Sequence, residues 1–228
     1  MKITLTHKFI DTLLLSLLVF SGGGLLFVFN RNFFSIVLIM VAAFCIIFMG
    51  KKLNKSVFNA SLFTLLVFSA LILLNYTFAP GSQKFLKYGF HLMNITSCIF
   101  ILIHFKNHRS SEYFLSRIRY ILRVVLYFSI INFLVYFLIK GSLTPAYGGW
   151  NNGYIADTFN FLFFYNPEKH AFNFFGFQLV RNQGWFWEPG VNQVYLNILL
   201  YLEGFVFKRG KWIIPLIVFA IITTYSTT

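Results

Sequence analysis

Acidic residues are scarce in this sequence, whose 228 residues include 6 Asp and Glu against 19 Lys and Arg. The only aspartates are Asp11 and Asp157, so the chain has no Asp-x-Asp pair to hold a metal ion against a nucleotide sugar. A Walker glycine loop and a His-Glu-x-x-His pattern are also missing. These absences argue against metal-assisted nucleotide-sugar binding, ATP hydrolysis and zinc catalysis, and we predict neither a metal site nor a cofactor.

Charged residues and cysteines are few as well. Charged residues make up 11% of the chain and hydrophobic residues 58%, and the mean hydropathy is +0.72. A soluble single domain of this length does not normally have such a balance. Cys45 and Cys98 both lie within apolar runs, where we expect packed apolar thiols instead of a disulfide framework or a metal cluster. The sequence therefore predicts a protein whose solvent is the bilayer.

Apolar runs of the length that crosses a bilayer, about 20 residues, recur along the chain. They predict an all-α integral membrane protein of about seven transmembrane helices, folded as a single polytopic domain over residues 1–228. The predicted spans are 9–29, 33–49, 57–78, 85–105, 120–139, 191–207 and 212–228. Gly22, Gly23 and Gly24 interrupt the first span and indicate either a break that lines a cavity or, the interpretation we prefer, a close helix contact.

Basic residues are distributed unevenly between the predicted spans, with 13 of the 19 Lys and Arg on one side and 6 on the other. By the positive-inside rule this places the N-terminus in the cytoplasm and residues 140–190 in an extracytoplasmic loop. We therefore expect a multi-pass protein of the bacterial inner membrane. Because topology explains the basic clusters, no nucleic-acid partner is predicted. Near the cytoplasmic boundary, interfacial residues with basic partners are expected at Asp11, His104 and Glu203.

The predicted extracytoplasmic loop is much longer than a simple connection between helices. Its aromatic content is not typical of a disordered segment, and we expect it to rest on the outer headgroup layer. At least one short helix is predicted between about Asp157 and Phe177. The aromatic residues of this loop include Trp150, Phe159, Phe161, Phe163, Phe164, Tyr165, Phe172, Phe174, Phe175 and Phe177.

The densest chemical signal is the run over residues 181–190, immediately before the sixth predicted span. Pro189 suits the first turn of a helix and pushes Glu188 out of helical geometry. The dipole of the following helix then favours an ionised Glu188. Glu188 and Arg181 would handle an acceptor hydroxyl and a phosphate, respectively. The alternative is an Arg–Glu pair that merely anchors the loop.

Two polar stripes at helical spacing begin at the outward ends of their spans. Polar residues inside a membrane usually face the bundle interior or a watered cavity, so the stripes outline a possible outward-open cleft beneath Glu188. The alternative for Lys87 is snorkelling to the headgroups, and for His91 it is a hydrogen-bonded packing role. The stripes consist of Lys87, His91, Asn94 and Cys98, and of Gln193, Asn197 and Tyr201.

At these residues the chain resembles the O-antigen polymerase and ligase superfamily. Its members carry an Arg-x-x-Gly stretch that continues into Phe-x-Glu-Pro-Gly after a large outward loop, followed by Ser-Thr-Thr-Gly in the next helix. Here the first motif lies at 181–190, and the second corresponds to residues 223–228. Order and spacing match over residues 181–228, whereas the upstream hydropathy is compatible but not specific.

The resemblance implies metal-independent glycosyl transfer, in which a chain on a polyprenyl diphosphate is moved onto another lipid-linked saccharide. It implies that Arg181 holds the donor diphosphate and that Glu188 orients or deprotonates the acceptor hydroxyl. The implied partners are polyprenyl-diphosphate-linked oligosaccharide, membrane lipids, chain-length regulator proteins and flippase proteins. Further candidate substrate-binding residues are Lys87, His91, Gln193, Asn197, Trp185 and Trp187.

Three alternatives remain beside a repeat-unit polymerase. A ligase that attaches finished glycan shares the same motifs, and a flippase for lipid-linked oligosaccharide or a non-catalytic scaffold would belong to different classes. The sequence ends at Thr228 without the glycine that follows in the family. We therefore expect a truncated reading frame or a fragment, which would be inactive by itself.

Overall fold

A computed structural model describes residues 7–49, 54–79, 85–148, 153–174, 176–208 and 210–226. The chain divides into two compact units, one of Met1–Ser21 with Asn32–Arg117 and one of Gly22–Arg31 with Ile118–Thr228. The α-helices are α1 (His7–Ser21), α2 (Leu25–Phe29), α3 (Arg31–Met49), α4 (Lys55–Phe78), α5 (Phe85–His108), α6 (Ser111–Ile139), α7 (Pro167–His170), α8 (Pro189–Tyr201) and α9 (Ile213–Thr224). The strands are β1 (Thr144–Gly148), β2 (Gly153–Phe159), β3 (Phe163–Tyr165), β4 (Ala171–Phe174) and β5 (Phe177–Val180).

Helices account for most of the described chain. Four segments are long and apolar enough to cross a membrane, as judged by length and composition. They overlap four of the predicted spans, which supports the prediction of a helical membrane protein. The total of seven spans, the orientation of the N-terminus and the inner-membrane location stay predictions. The four segments are Arg31–Phe48, Lys55–Phe78, Lys87–Asn107 and Ser111–Ser142.

The regular secondary structure of the first unit is all helical in the part of the chain that the structure describes. Asn54 caps α4, because its side chain accepts a hydrogen bond from the backbone N–H of Ser56 at 2.9 Å. Helices α4 and α5 pack against each other, and the Tyr88 hydroxyl donates to Asn75 Oδ1 at 3.0 Å. No residue of α4 is buried. This helix therefore presents apolar side chains to its surroundings along its whole length.

The first predicted span is broken at its glycines. Helix α1 ends at Ser21 and α2 begins at Leu25. Gly23 has φ +124°, which a residue with a Cβ rarely adopts. A Cβ at Gly23 would also lie 3.2 Å from Val191 Cγ1 of α8. Gly23 thus lies at a helix break and makes the close helix contact that we preferred from the sequence.

Where the structure describes the predicted extracytoplasmic loop, its regular secondary structure is mostly β. Strands β1, β2 and β3 form an antiparallel sheet in that order, and β4 pairs with β5 as a second antiparallel pair. The all-α prediction was therefore wrong for the loop, although the short helix expected there is present as the single turn α7. The reason is that aromatic and β-branched side chains suit strands as well as headgroups.

Helix α2 packs on the β1–β2–β3 sheet in the second unit. At Gly148 a Cβ would lie only 2.7 Å from Phe29 Cδ1, so this position has no room for a side chain. The Tyr165 hydroxyl donates to the Asn132 carbonyl of α6 at 2.7 Å and ties the sheet to that helix. The buried core between α2 and the sheet consists of Leu25, Ile155, Ala156 and Phe164.

Candidate active site

The segment 181–190 connects the β4–β5 hairpin to helix α8. The backbone N–H of Arg181 donates to the carbonyl of His170 at 2.9 Å. Since Ala171 pairs with Val180, this bond extends the hairpin ladder by one further residue. The hairpin register therefore places His170 opposite Arg181, although 11 positions separate them in the printed sequence.

Asn182 joins the segment to two helices. Its backbone N–H donates to the Thr223 carbonyl at 3.0 Å, and its Nδ2 donates to Thr223 Oγ1 at 2.9 Å. The same Nδ2 lies 3.0 Å from the Ser129 carbonyl of α6, and Oδ1 accepts from the Gly184 N–H at 3.2 Å. Asn182 is only 2% exposed. The two motifs recognised in the sequence, at 181–190 and from 223 onward, are thus in direct contact.

The glycine break pairs with the same segment through the backbone. The Leu25 N–H donates to the Trp185 carbonyl, and the Trp187 N–H donates to the Gly23 carbonyl, each at 2.8 Å. Unwound backbone in an apolar environment requires such partners, because each unpaired group carries a desolvation cost. The break and the segment around Trp185 therefore stabilise each other.

Glu188 lies at the start of α8, as the sequence predicts. Its backbone is extended, with φ −131° and ψ 144°, and Pro189 occupies the first turn. The carboxylate forms no capping hydrogen bond with the helix, and Oε1 instead accepts from Trp187 Nε1 at 3.1 Å. The side chain is exposed. This carboxylate is therefore oriented by the indole while remaining accessible from outside the protein.

Arg181 and Glu188 form no ion pair with each other among the described residues. The charges of both side chains instead affect the pKa of His170. Burial lowers the pKa of His170 below its ordinary value of about 6.5, the Arg181 charge lowers it further, and the Glu188 carboxylate opposes this effect. A simple anchoring ion pair would require direct contact between Arg181 and Glu188, which the structure does not show.

Lys169 completes a group that we call the His170 cluster, defined as Lys169, His170, Arg181, Trp187 and Glu188. Lys169 Nζ lies 5.0 Å from the centroid of the Trp187 ring, within the range of a cation–π contact. The cluster combines N–H donors that suit phosphate oxygens with a carboxylate that suits a hydroxyl. It can therefore hold a phosphate-bearing donor and orient an alcohol.

Buried polar atoms without hydrogen-bond partners lie in the same stretch of chain. Arg181 Nε and Gln183 Oε1 are two of them, and Gln183 is only 1% exposed. On α6, both polar atoms of the Asn132 amide also lack partners. Such groups are rare in native proteins and require an explanation.

Trp185, a predicted substrate contact, has its ring engaged in packing. It is stacked on Phe128 of α6, with ring centroids 3.9 Å apart and an interplanar angle of 20°. Trp187 is the indole that contacts both Lys169 and Glu188. A direct role of Trp185 in substrate binding stays a prediction, whereas its observed contacts fasten the segment to α6.

The polar stripe predicted on α8 faces outward rather than into the unit. Asn197 and Tyr201 are exposed and Gln193 is half-buried. The buried polar side chain is Asn192, at 0% exposure, whose Nδ2 donates to Ser129 Oγ at 2.9 Å. Residues 193 and 197 lie one position further along than the buried 192 and 196, a rotation of about 100° around the helix. Contact of Gln193 and Asn197 with substrate stays a prediction.

The other predicted stripe lies in the first unit, on α5. Lys87 and His91 are exposed there, whereas Asn94 and Cys98 are half-buried. The His91 ring lies at the edge of the Tyr88 ring, with centroids 6.4 Å apart. Contact of Lys87 and His91 with substrate, and the cleft beneath Glu188, stay predictions.

The acidic residues expected near the cytoplasmic boundary have the basic partners predicted for them. Asp11 Oδ2 lies 2.7 Å from Arg109 Nε, and its Oδ1 lies 2.8 Å from His104 Nε2. Glu203 is bound by Arg119 and Arg123. Both carboxylates are buried, at 0% and 1% exposure.

Sequence reasoning missed Lys169, His170, Asn182 and Asn192 as members of this region. The signal for Asn192 is helical periodicity, since it shares a face with the buried Leu196 and Leu199. His170 becomes visible only through the hairpin register. The chain matches no protein-family model, no curated protein and no solved structure. The interpretation of the site therefore rests on its residues and their geometry.

Proposed function

We propose that this chain is a membrane glycosyltransferase of the O-antigen polymerase type, which joins lipid-linked oligosaccharide repeat units into a surface polysaccharide. The observation that carries the proposal is the His170 cluster, in which cationic side chains lie beside an accessible carboxylate at the start of α8. The contact of Asn182 with Thr223 adds support, because it joins the two motifs on which the resemblance depends.

The proposed reaction transfers a saccharide from a polyprenyl diphosphate to the hydroxyl of a second lipid-linked saccharide. The hydroxyl oxygen forms a bond to the anomeric carbon of the donor, and the bond from that carbon to the diphosphate oxygen breaks. The leaving diphosphate keeps the electron pair. The hydroxyl proton passes to the Glu188 carboxylate late in the step, so Glu188 acts first by orienting the acceptor.

Arg181 and Lys169 stabilise the charge that develops on the diphosphate. A fixed cation at the leaving group is expected to supply the main electrostatic contribution, since it needs no reorganisation during the reaction. The backbone of Arg181 is held by its hydrogen bond to the His170 carbonyl, and Lys169 Nζ lies 5.0 Å from the centroid of the Trp187 ring. With the diphosphate bound, the planar guanidinium can donate to two phosphate oxygens at once.

A flippase is the alternative that the broken first helix favours, because transporters place discontinuous helices at their substrate sites. In this chain, however, the Leu25 N–H and the Gly23 carbonyl at the break are hydrogen-bonded to the segment around Trp185. These backbone groups are therefore already satisfied without a transported substrate. A ligase would use the same cluster and differs only in its acceptor.

The test is a pair of substitutions made at the native locus. Arg181→Lys keeps the charge but removes the planar fork, and Glu188→Gln keeps the size but removes the charge. Each should lower polymerisation by about 10²–10³-fold, the range for loss of a group that stabilises transition-state charge. Single lipid-linked repeat units should accumulate. Both proteins should insert at normal levels, because neither side chain belongs to the buried core.

The matched control is Lys140→Gln, which removes an exposed cation from the turn after α6. Lys169 is unsuitable as a control because it contacts Trp187. Polymer length should be analysed on gels together with the level of inserted protein. Full-length polymer at normal levels in both Arg181→Lys and Glu188→Gln would contradict the proposal and favour a structural scaffold.

A further inference from the structure

The first unit contains a groove whose lining residues are distant in sequence from the His170 cluster. It has a volume of about 520 Å³ and lies between α4, the carboxyl end of α5 and the first turns of α6. This volume is within the range of small-molecule sites, about 300–1,000 Å³. Its apolar walls are formed by Val57, Ala60, Ile99, Leu102, Phe114 and Leu115.

The α4 wall combines the apolar Val57 and Ala60 with the hydroxyls of Ser61 and Thr64. Thr64 lines the groove, but its hydroxyl donates to the Ala60 carbonyl of its own helix at 2.9 Å. Leu102 of α5 is 57% exposed although it lies inside a span that is long and apolar enough to cross a membrane. A side chain of this kind is suited to contact with a hydrocarbon chain.

Polar side chains gather at one end of the groove. Lys106, Arg109, Ser110 and Ser111 all line it there. The guanidinium of Arg109 is partly neutralised, because its Nε lies 2.7 Å from the fully buried carboxylate of Asp11. Lys106 is exposed and forms no salt bridge within the described part of the chain. Lys106 therefore supplies the surplus positive charge.

We infer that this groove binds an anionic phospholipid, with an acyl chain along the apolar walls and the phosphate at Lys106, Ser110 and Ser111. The apolar walls and the cationic end together match an amphiphile of this kind, whereas a free anion would use only one end. Lys106 and Arg109 are on the predicted cytoplasmic side, where membranes carry anionic lipid. The inference is independent of the proposed glycosyl transfer.

The test uses the full chain in nanodiscs of phosphatidylcholine that contain a photoactivatable phosphatidylglycerol with its reactive group in the acyl chain. Crosslinked peptides should map to the groove, at or near Leu102 and Phe114. Added phosphatidylglycerol should compete, whereas phosphatidylcholine and inorganic phosphate should not. Lys106→Gln should weaken binding about fivefold, the factor expected for one cation near an anionic surface.

Two further variants separate binding from folding. Lys8→Gln removes an exposed cation elsewhere in the same unit and should leave the crosslink unchanged. Leu102→Trp should block the groove without disturbing the core, because the side chain is exposed. Equal labelling of Lys106→Gln and Lys8→Gln overturns the inference. Equal competition by phosphatidylcholine, competition by inorganic phosphate, or crosslinks confined to other helices overturns it as well.

Discussion

Replacement of Asn182 tests how the segment 181–190 is held in place. Asn182→Ala removes the two bonds from Nδ2 to Ser129 and Thr223 and the bond from the Gly184 N–H to Oδ1. Hydrogen bonds in membrane proteins contribute on average about 0.6 kcal/mol each, so their loss alone costs roughly 2 kcal/mol. The Gly184 N–H also loses its partner, which adds a desolvation cost of about 1 kcal/mol or more. We expect a loss of about 3 kcal/mol in the free energy of unfolding.

The assay is reversible unfolding of the purified chain in mixed detergent micelles, followed by tryptophan fluorescence. Asn197→Ala is the matched control, since Asn197 is exposed on α8 and its loss should change stability by less than about 0.5 kcal/mol. A double-mutant cycle with Thr223→Val should give a coupling energy of about 0.5–1 kcal/mol. If Asn182→Ala unfolds like Asn197→Ala, the bonds of Asn182 do not hold the two motifs together.

Three further predictions concern the glycine break, the His170 cluster and the buried carboxylate of the first unit. Gly23→Ala should lower the unfolding free energy by about 1–3 kcal/mol, because Gly23 has φ +124° and a Cβ there would contact Val191. The control Gly89→Ala should not destabilise, since its Cβ would meet nothing within 4 Å. Equal effects of the two substitutions would contradict the strain argument. The pKa of His170 is lower in the folded chain than in the unfolded chain, so as the pH falls the unfolded chain is protonated at His170 before the folded chain. The contribution of His170 to the free energy of unfolding is therefore complete above about pH 6.5 and is lost as the pH falls below that value. His170→Gln should flatten this part of the measured pH–stability curve, and an unchanged curve would refute the assignment. Asp11→Asn should destabilise by about 3–5 kcal/mol in the same unfolding assay, because it leaves the partly buried guanidinium of Arg109 without its carboxylate partner. A change below about 1 kcal/mol would show that the ion pair is dispensable.

The sequence alone determined the features that depend on neighbours along the chain. Apolar runs predicted the four long helices because helix formation and membrane burial both follow local composition. The start of α8 was predictable because Pro189 fixes its own φ and restricts Glu188 before it. The basic partners of Asp11 and Glu203 were also expected, since carboxylates in apolar surroundings require cations.

Only the tertiary structure decided which distant residues meet. The aromatic residues of the loop suit strands and headgroups equally, so the strands β1 to β5 became apparent only with their pairing. The register of the β4–β5 hairpin places His170 opposite Arg181, and backbone pairing joins Gly23 to Trp187. Asn182 is an ordinary polar loop residue in the sequence, and its importance arises from Ser129 and Thr223 on two other helices. Such contacts depend on chain closure over long separations, which a local pattern does not encode.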